Sequence, residues 1–289
     1  MSKNKSRSWT LGVLLAALSW SAQAVAAAPC QGLDKGDNWA TAEVRTFEGC
    51  AGGGTVDELR AVLSAMAYGD VQGHASASSR AKRIFNELER RGAVLASDRR
   101  SFLRVLFVNW DFVALGTYSK SAEGKHWIGD QRLPDRLKRL DASSIAASLF
   151  AVRADVGELA ELELDRSSIP PLIVVFSPTC NPCRRAVRAI EADPELLGLF
   201  ARCSLWVSTV DQTFDLNLYA RWNEEHPSLR GYLVRDWERL GLDYPRSTPA
   251  FHVIAQGQRA VRIDGWPQEG RKAEILKAME PFKQRCGTR

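Results

Sequence analysis

The run Pro171-Leu-Ile-Val-Val-Phe-Ser-Pro-Thr-Cys180-Asn-Pro-Cys183-Arg-Arg constrains this chain more than any other stretch. Its apolar residues are continuous over a length that suits a buried strand, and the strand runs directly into a Cys-x-x-Cys that opens a helix. Cysteines at i and i+3 share one face of a first helical turn, a placement suited to reversible disulfide chemistry. Cys180 would stand at the helix N-terminus, where unpaired N–H groups and the positive end of the dipole favour a thiolate. Cys183, one turn on, would be the more buried, resolving sulfur. Arg184 and Arg185 add local positive charge and read equally well as solvated surface residues. A static disulfide, or half of a zinc site, is the competing reading; zinc needs two more ligands, and Cys203 and Cys286 do not form a second close pair.

Three later features follow in order. Ser204-Leu-Trp-Val-Ser-Thr-Val-Asp211-Gln212 reads as a second strand, and Thr248-Pro249 stands immediately before the apolar strand Ala250–Ile254. Gln256-Gly257-Gln258 then reads as a hairpin turn, followed by a helix over about 267–282. With its Cys-x-x-Cys, this order resembles the thioredoxin superfamily. The resemblance implies an α/β fold over residues 172–289, a central mixed sheet flanked by helices. It also implies that Thr248-Pro249 is the family's cis-proline, lying beside the dithiol and pairing its backbone with substrate.

The chain departs from thioredoxins proper at two positions. Val174 stands where they have a buried aspartate that assists deprotonation of the resolving cysteine, and Thr179 replaces a tryptophan. Phe-Ser-Pro-Thr-Cys180, Thr248 and Asp264-Gly-Trp-Pro look more like the catalytic domains of bacterial periplasmic disulfide isomerases. The 38 positions from Asp211 to Pro249 are long for a minimal thioredoxin, so residues 214–244 are expected to form an inserted helical subdomain.

Residues 1–28 carry Lys3, Lys5 and Arg7, an apolar stretch around Leu11–Leu18, and then small residues including Ala22-Gln23-Ala24. This is a secretory signal pattern, with cleavage expected after Ala24 or a few residues later, and it implies export, most simply to a bacterial periplasm. The apolar core is short for a membrane anchor, and Pro29 argues against lipidation of Cys30. In an oxidising compartment the six cysteines are expected to pair. Six allow fifteen connectivities, and sequence alone does not choose among them. The preferred set is Cys180 with Cys183 as the redox pair, Cys30–Cys50 as a local staple and Cys203–Cys286 tying the second strand to the chain end. The net charge of +5 falls by three when the signal leaves, and a near-balanced surface gives no reason to invoke nucleic acid or anionic lipid.

Residues 29–165 are expected to form a mostly α-helical N-terminal domain, joined to the rest by a linker at 166–171. Thr55-Val-Asp-Glu58 is a capping box followed by Leu59, Val62, Leu63 and Met66 at helical spacing. Ser78 or Ser79 would cap a second helix running to Arg91 and closed by Gly92, and a third is expected over 98–114. Further helices are expected over 134–140 and 142–164. His74 and His126 lack ligand partners at metal spacing, Gly52-Gly-Gly54 lacks the lysine of a phosphate loop, and His252 reads as a structural strand residue. Most of the tryptophans (Trp110, Trp127, Trp206, Trp222, Trp237, Trp266) read as core. No cofactor or metal is expected.

Two functions follow. One is an exported thiol:disulfide oxidoreductase, with Cys180 and Cys183 catalytic and Thr248 and Pro249 binding a protein substrate, served by a redox partner protein. The other is a non-catalytic binding module of an envelope assembly such as a secretion or conjugation apparatus.

Overall fold

In the computed structural model the described residues are 29–35, 38–68, 76–134, 136–138, 147–164, 168–243, 247–255 and 258–287. The expected signal segment, His74, Asp165, residues 166–167 of the expected linker and Gln256-Gly257 of the expected turn lie outside them.

The first part is helical: α1 (Asn38–Thr41), α2 (Val44–Gly53), α3 (Val56–Tyr68), α4 (Ala77–Arg90), α5 (Ala96–Val108), α6 (Phe112–Tyr118) and α7 (Ala122–Ile128). Helix α3 starts where the capping box places it. The Thr55 N–H donates to Glu58 at 2.7 Å and the Glu58 N–H donates to Thr55 Oγ1 at 3.3 Å, which satisfies two otherwise orphaned donors. Leu59, Val62, Leu63 and Met66 are fully buried.

Two expectations are corrected nearby. Helix α4 starts after Ser76 rather than Ser78 or Ser79. The third helix ends at Val108, because Asn109 caps back onto the Val105 carbonyl, Trp110 adopts a left-handed φ of 58°, and Asp111 caps α6 through the Ala114 N–H. Trp110 is buried, and its ring lies 4.6 Å from that of Phe150.

Next come β1 (Arg136–Lys138), β2 (Ala147–Arg153) and β3 (Glu158–Leu164). The helices expected over 134–140 and 142–164 are therefore, among the described residues, the strands β1, β2 and β3, with a turn over 154–157 between the last two. The hydrophobic residues of 147–164 occur at spacings compatible with either period, and the turn decides. Arg153 and Ala154 carbonyls accept from Val156 and Gly157 N–H groups, and Gly157 takes φ 67°, closed to most side chains.

The remainder runs β4 (Leu172–Val175), α8 (Asn181–Glu191), α9 (Pro194–Cys203), β5 (Ser204–Ser208), α10 (Leu216–Glu225), β6 (Gly231–Val234), β7 (Ala250–Ala255), β8 (Gln258–Asp264), α11 (Lys272–Met279) and α12 (Lys283–Gly287). Among the described residues the eight strands join one mixed sheet in the order β1-β3-β2-β6-β5-β4-β7-β8. Strands β6, β5 and β4 are parallel, β7 is antiparallel to β4, and β7 pairs with β8 as a hairpin.

The expected helical insertion is thus more than helical. It supplies α10 to one face, inserts β6 into the sheet between β5 and β2, and lays Trp237, Leu240 and Leu242 on the opposite face. Strand β4 is buried on both faces because both sides are covered: Leu172 and Val174 belong to the cluster shared with the helices, Ile173 and Val175 to the Trp237 side. The larger cluster is continuous from Cys30 through α3–α5 to Phe150, Cys183, Trp206 and Met279. Disulfides Cys30–Cys50 and Cys203–Cys286 close loops of 20 and 83 positions, as the preferred pairing has it, and Cys180 and Cys183 are free thiols. Among the described residues no helix is long and apolar enough to cross a membrane.

The β5–β6 crossing admits no side chain at residue 231. A Cβ on Gly231 would enter the Phe176 ring, which is buried against Trp206 and Trp222. Gly231→Ala is therefore expected to lower stability by about 1–3 kcal/mol through overpacking. Equilibrium denaturant unfolding reads this as a lower midpoint at unchanged slope; an unchanged midpoint would show that Phe176 can move aside.

Candidate functional site

Strand β4 delivers the chain, through Phe176 and the turn Ser177-Pro178-Thr179, to the first residue of α8. The Cys180 N–H donates to the Ser177 carbonyl at 3.1 Å, which closes this turn. Cys180 is the N-cap of α8, and its sulfur takes the part that Ser or Asp usually plays: the Cys183 N–H donates to Sγ at 3.3 Å. Pro182 sits in the first turn, where a missing N–H is harmless. Arg184 turns back to donate from Nε to the Pro178 carbonyl at 2.9 Å, bracing the turn. Arg185 reaches the Trp266 carbonyl at 3.4 Å. Both arginines therefore have local structural partners.

Thr248 and Pro249, far away in sequence, lie against the dithiol. The Thr248–Pro249 peptide is cis, and the Cys180 thiol donates to the Thr248 carbonyl at 3.4 Å. The four residues singled out from sequence are thereby brought together.

The two sulfurs occupy different environments. Cys180 is half-buried and reachable, whereas Cys183 is fully buried. Burial pushes the Cys183 thiol well above its ordinary range, the Cys180 sulfur beside it pushes the same way, and contacts from the Ser177 backbone and the Thr248 side chain only partly oppose them. The sheet beneath is apolar: Val174 is fully buried and faces Trp206 and Phe251 on the neighbouring strands. The insertion adds Tyr219, whose hydroxyl lies 2.7 Å from that of Ser208 and is pushed well above its ordinary range chiefly by burial.

Several polar residues around the site were not foreseen from sequence. Ser177, Thr179 and Thr213 form a chain of hydroxyls at 2.9 and 3.3 Å, which ends where Thr213 donates to Asp211 at 2.7 Å. Beyond Pro249, Ser247, Arg262 and Asp264 form a second group. Ser177, Thr179, Asp211 and Asp264 stood in stretches already noted, though not for these bonds; Thr213 and Arg262 carried no local signal, and Ser247 meets Asp264 and Arg262 only across 17 and 15 positions of chain. The helical part also reaches the rim. Gln131 donates to the Gln212 carbonyl at 2.8 Å, and the Leu216 N–H donates to the Arg132 carbonyl at 2.9 Å. His252 is buried in β7 and His126 packs edge-on against Trp127; neither lies in a cluster that could hold a metal among the described residues.

No protein-family profile matches this sequence, and no curated protein matches it. Two solution structures align with it. An uncharacterised thioredoxin-like protein from Porphyromonas gingivalis is 18% identical, with 52% of this chain and 97% of that one covered and a TM-score of 0.34. A protein from Neisseria meningitidis, provisionally titled a thioredoxin, is 13% identical, with 47% and 89% covered and a TM-score of 0.30. These likenesses are of outline only. The mixed, helix-flanked sheet and the dithiol that follows its strand β4 stand on the geometry given above.

Two outcomes follow from the unequal burial. Brief alkylation of the reduced protein is expected to modify Cys180 and spare Cys183, as read by peptide mass spectrometry; equal labelling would contradict the site geometry. Because the folded-state thiol of Cys183 is raised, its contribution to stability is present below the unfolded value of about 8.5 and is lost as pH rises beyond it. The thermal midpoint of the reduced protein should then fall more between about pH 7 and about pH 9.5 than that of the oxidised protein, in which this thiol no longer titrates.

Proposed function

We propose that this chain is an exported thiol:disulfide oxidoreductase acting on protein disulfides in the bacterial periplasm. The observation that carries the reading is the Cys180 sulfur, half-exposed at the start of α8, with the Cys183 N–H at 3.3 Å and the Thr248 carbonyl at 3.4 Å. A backbone donor aimed at a sulfur is placed where negative charge gathers during thiol–disulfide exchange.

In the reducing direction, the Cys180 thiolate attacks one sulfur of a substrate disulfide. That bond breaks, the second substrate sulfur leaves as a thiolate and takes a proton from solvent, and a mixed disulfide joins Cys180 to substrate. Cys183 then gives up its proton and attacks Cys180 Sγ. The first substrate sulfur leaves, and the protein holds the Cys180–Cys183 disulfide, oxidised by the two electrons the substrate has gained. Oxidation of substrate is the same sequence reversed, with a redox partner protein restoring the starting state.

Val174 bears on which outcome dominates. With an apolar Val174 in the cluster that encloses Cys183, and the Cys183 thiol raised by burial, resolution by Cys183 waits on proton loss. A second thiol of the substrate then has time to attack the mixed disulfide instead. That outcome rearranges the substrate's bonds without net electron transfer, and we propose isomerisation as the principal activity.

The test is trapping. Cys183→Ala protein incubated with periplasmic extract should accumulate reducible adducts on Cys180, and wild-type protein should turn over insulin disulfides with dithiothreitol as the electron donor and reactivate a scrambled disulfide protein in a glutathione buffer. Absence of both adducts and turnover would leave a non-catalytic binding module of an envelope assembly as the function. The equilibrium potential against glutathione separates the directions: a strongly reducing value marks a reductant, a value near the oxidising foldases an isomerase or oxidase.

A further inference from the structure

The Thr248 carbonyl beside Cys180 is fixed from both sides by the end of β8. On one side, Ser247 Oγ donates to Asp264 Oδ1 at 2.7 Å. The same oxygen accepts from Arg262 Nε at 3.0 Å and from Nη2 at 2.8 Å, and Nη2 also donates to Ser247 Oγ at 3.1 Å. On the other side, the Pro249 carbonyl accepts from the Gly265 N–H at 2.7 Å, and Ala250 pairs with Asp264 across the sheet. Two consecutive residues, Asp264 and Gly265, thus hold the residues flanking Thr248, and between these anchors the Thr248 carbonyl meets Cys180 Sγ at 3.4 Å.

Stability does not account for the cluster. Ser247, Arg262 and Asp264 are all exposed, and an ion pair at such a surface contributes about 0–1 kcal/mol at most. Its geometry is directional instead. Three donors converge on one carboxylate oxygen, and among the groups they tie together is the side chain of Ser247, the residue before Thr248. A main chain held in this way presents its hydrogen-bonding edge in a constant direction toward whatever lies over Cys180. An extended peptide can use such an edge, whereas a small disulfide with no peptide backbone cannot.

We infer that Ser247, Arg262 and Asp264 form a positioning clamp that orients the Thr248 backbone to receive the extended main chain flanking a substrate cysteine, so that the site selects peptide disulfides over small-molecule disulfides. The inference rests on the proposed function for its chemistry, but the clamp itself is a binding device. Its residues are positioning residues that act through Thr248.

The experiment compares Ser247→Ala, Asp264→Ala and the hydroxyl-preserving Ser247→Thr with wild type, each checked for folding by its thermal midpoint. For each, kcat/KM on insulin is measured alongside the second-order rate of the reduced protein with dipyridyl disulfide. The ratio of the two is expected to fall about fivefold in the alanine variants through a higher KM for insulin, and to return toward wild type in Ser247→Thr. Loss of both rates in parallel, an unchanged ratio, or no rescue by threonine would overturn the clamp. If wild type turns over neither disulfide, the proposed function fails. The clamp is then read from the affinity of fluorescently labelled insulin B-chain for the reduced protein: weakening of about fivefold by Ser247→Ala but not by Ser247→Thr supports it, and equal affinities or no binding in any form overturn it.

Discussion

Everything at the candidate site depends on where α8 begins. A helix has N–H groups at its start with no partner in the helix, and here one of them, on Cys183, is satisfied by the sulfur of Cys180. Capping by a sulfur requires the chain to reach the helix at a fixed angle. Several contacts set that angle: the completely buried β4, the Ser177–Cys180 turn, and Arg184 folded back on Pro178. One local arrangement therefore terminates a strand, starts a helix and places a reactive atom. No flexible loop intervenes, so the position of the sulfur is as well defined as the sheet.

Around this point the molecule places unequal surroundings on the two thiols. The buried sulfur belongs to the same apolar cluster as Val174, Phe176 and the aromatic residues of the insertion, while the half-buried one faces the Thr248 carbonyl beside a rim of hydroxyls. A low-dielectric floor raises the cost of ionising Cys183, and a backbone donor lies on Cys180. The asymmetry needed to give two identical side chains different roles is thus produced by packing and by helix direction, not by added charged groups.

The helical part and the sheet share one buried cluster, and particular residues join them. Trp110, in a conformation unusual for a side chain of its size, delivers its ring to Phe150 in β2, and Phe112 lies 5.9 Å from Phe214, directly after Thr213. Gln131 and Arg132 bond the backbone on either side of that segment. The loop that carries Thr213 to the rim of the dithiol is accordingly shaped by residues of the helical part, Phe112, Gln131 and Arg132, as well as by its own neighbours. This is a physical link between the helices and the site that no short motif encodes.

Where signals were local, the sequence was sufficient. The Thr55–Glu58 box, the apolar run before Cys180, the Cys-x-x-Cys at a helix start and Thr248-Pro249 before a strand each depend on neighbours within a few residues, and each is found as read. Where partners were distant, it was not. Residues 147–164 could satisfy either period until a neighbouring strand took β2 and Gly157 made the turn; residues 214–244 gave no sign that four of them would enter the sheet; and Ser247 reaches the Arg262–Asp264 pair of β8 only because β7 and β8 lie side by side. The sequence by itself determined the chemistry available, two thiols at the opening of a helix. The tertiary structure alone decided which thiol is buried, what lies beneath it and which backbone faces the other, because burial and cross-strand contact are set by the packing of segments that are remote in the chain.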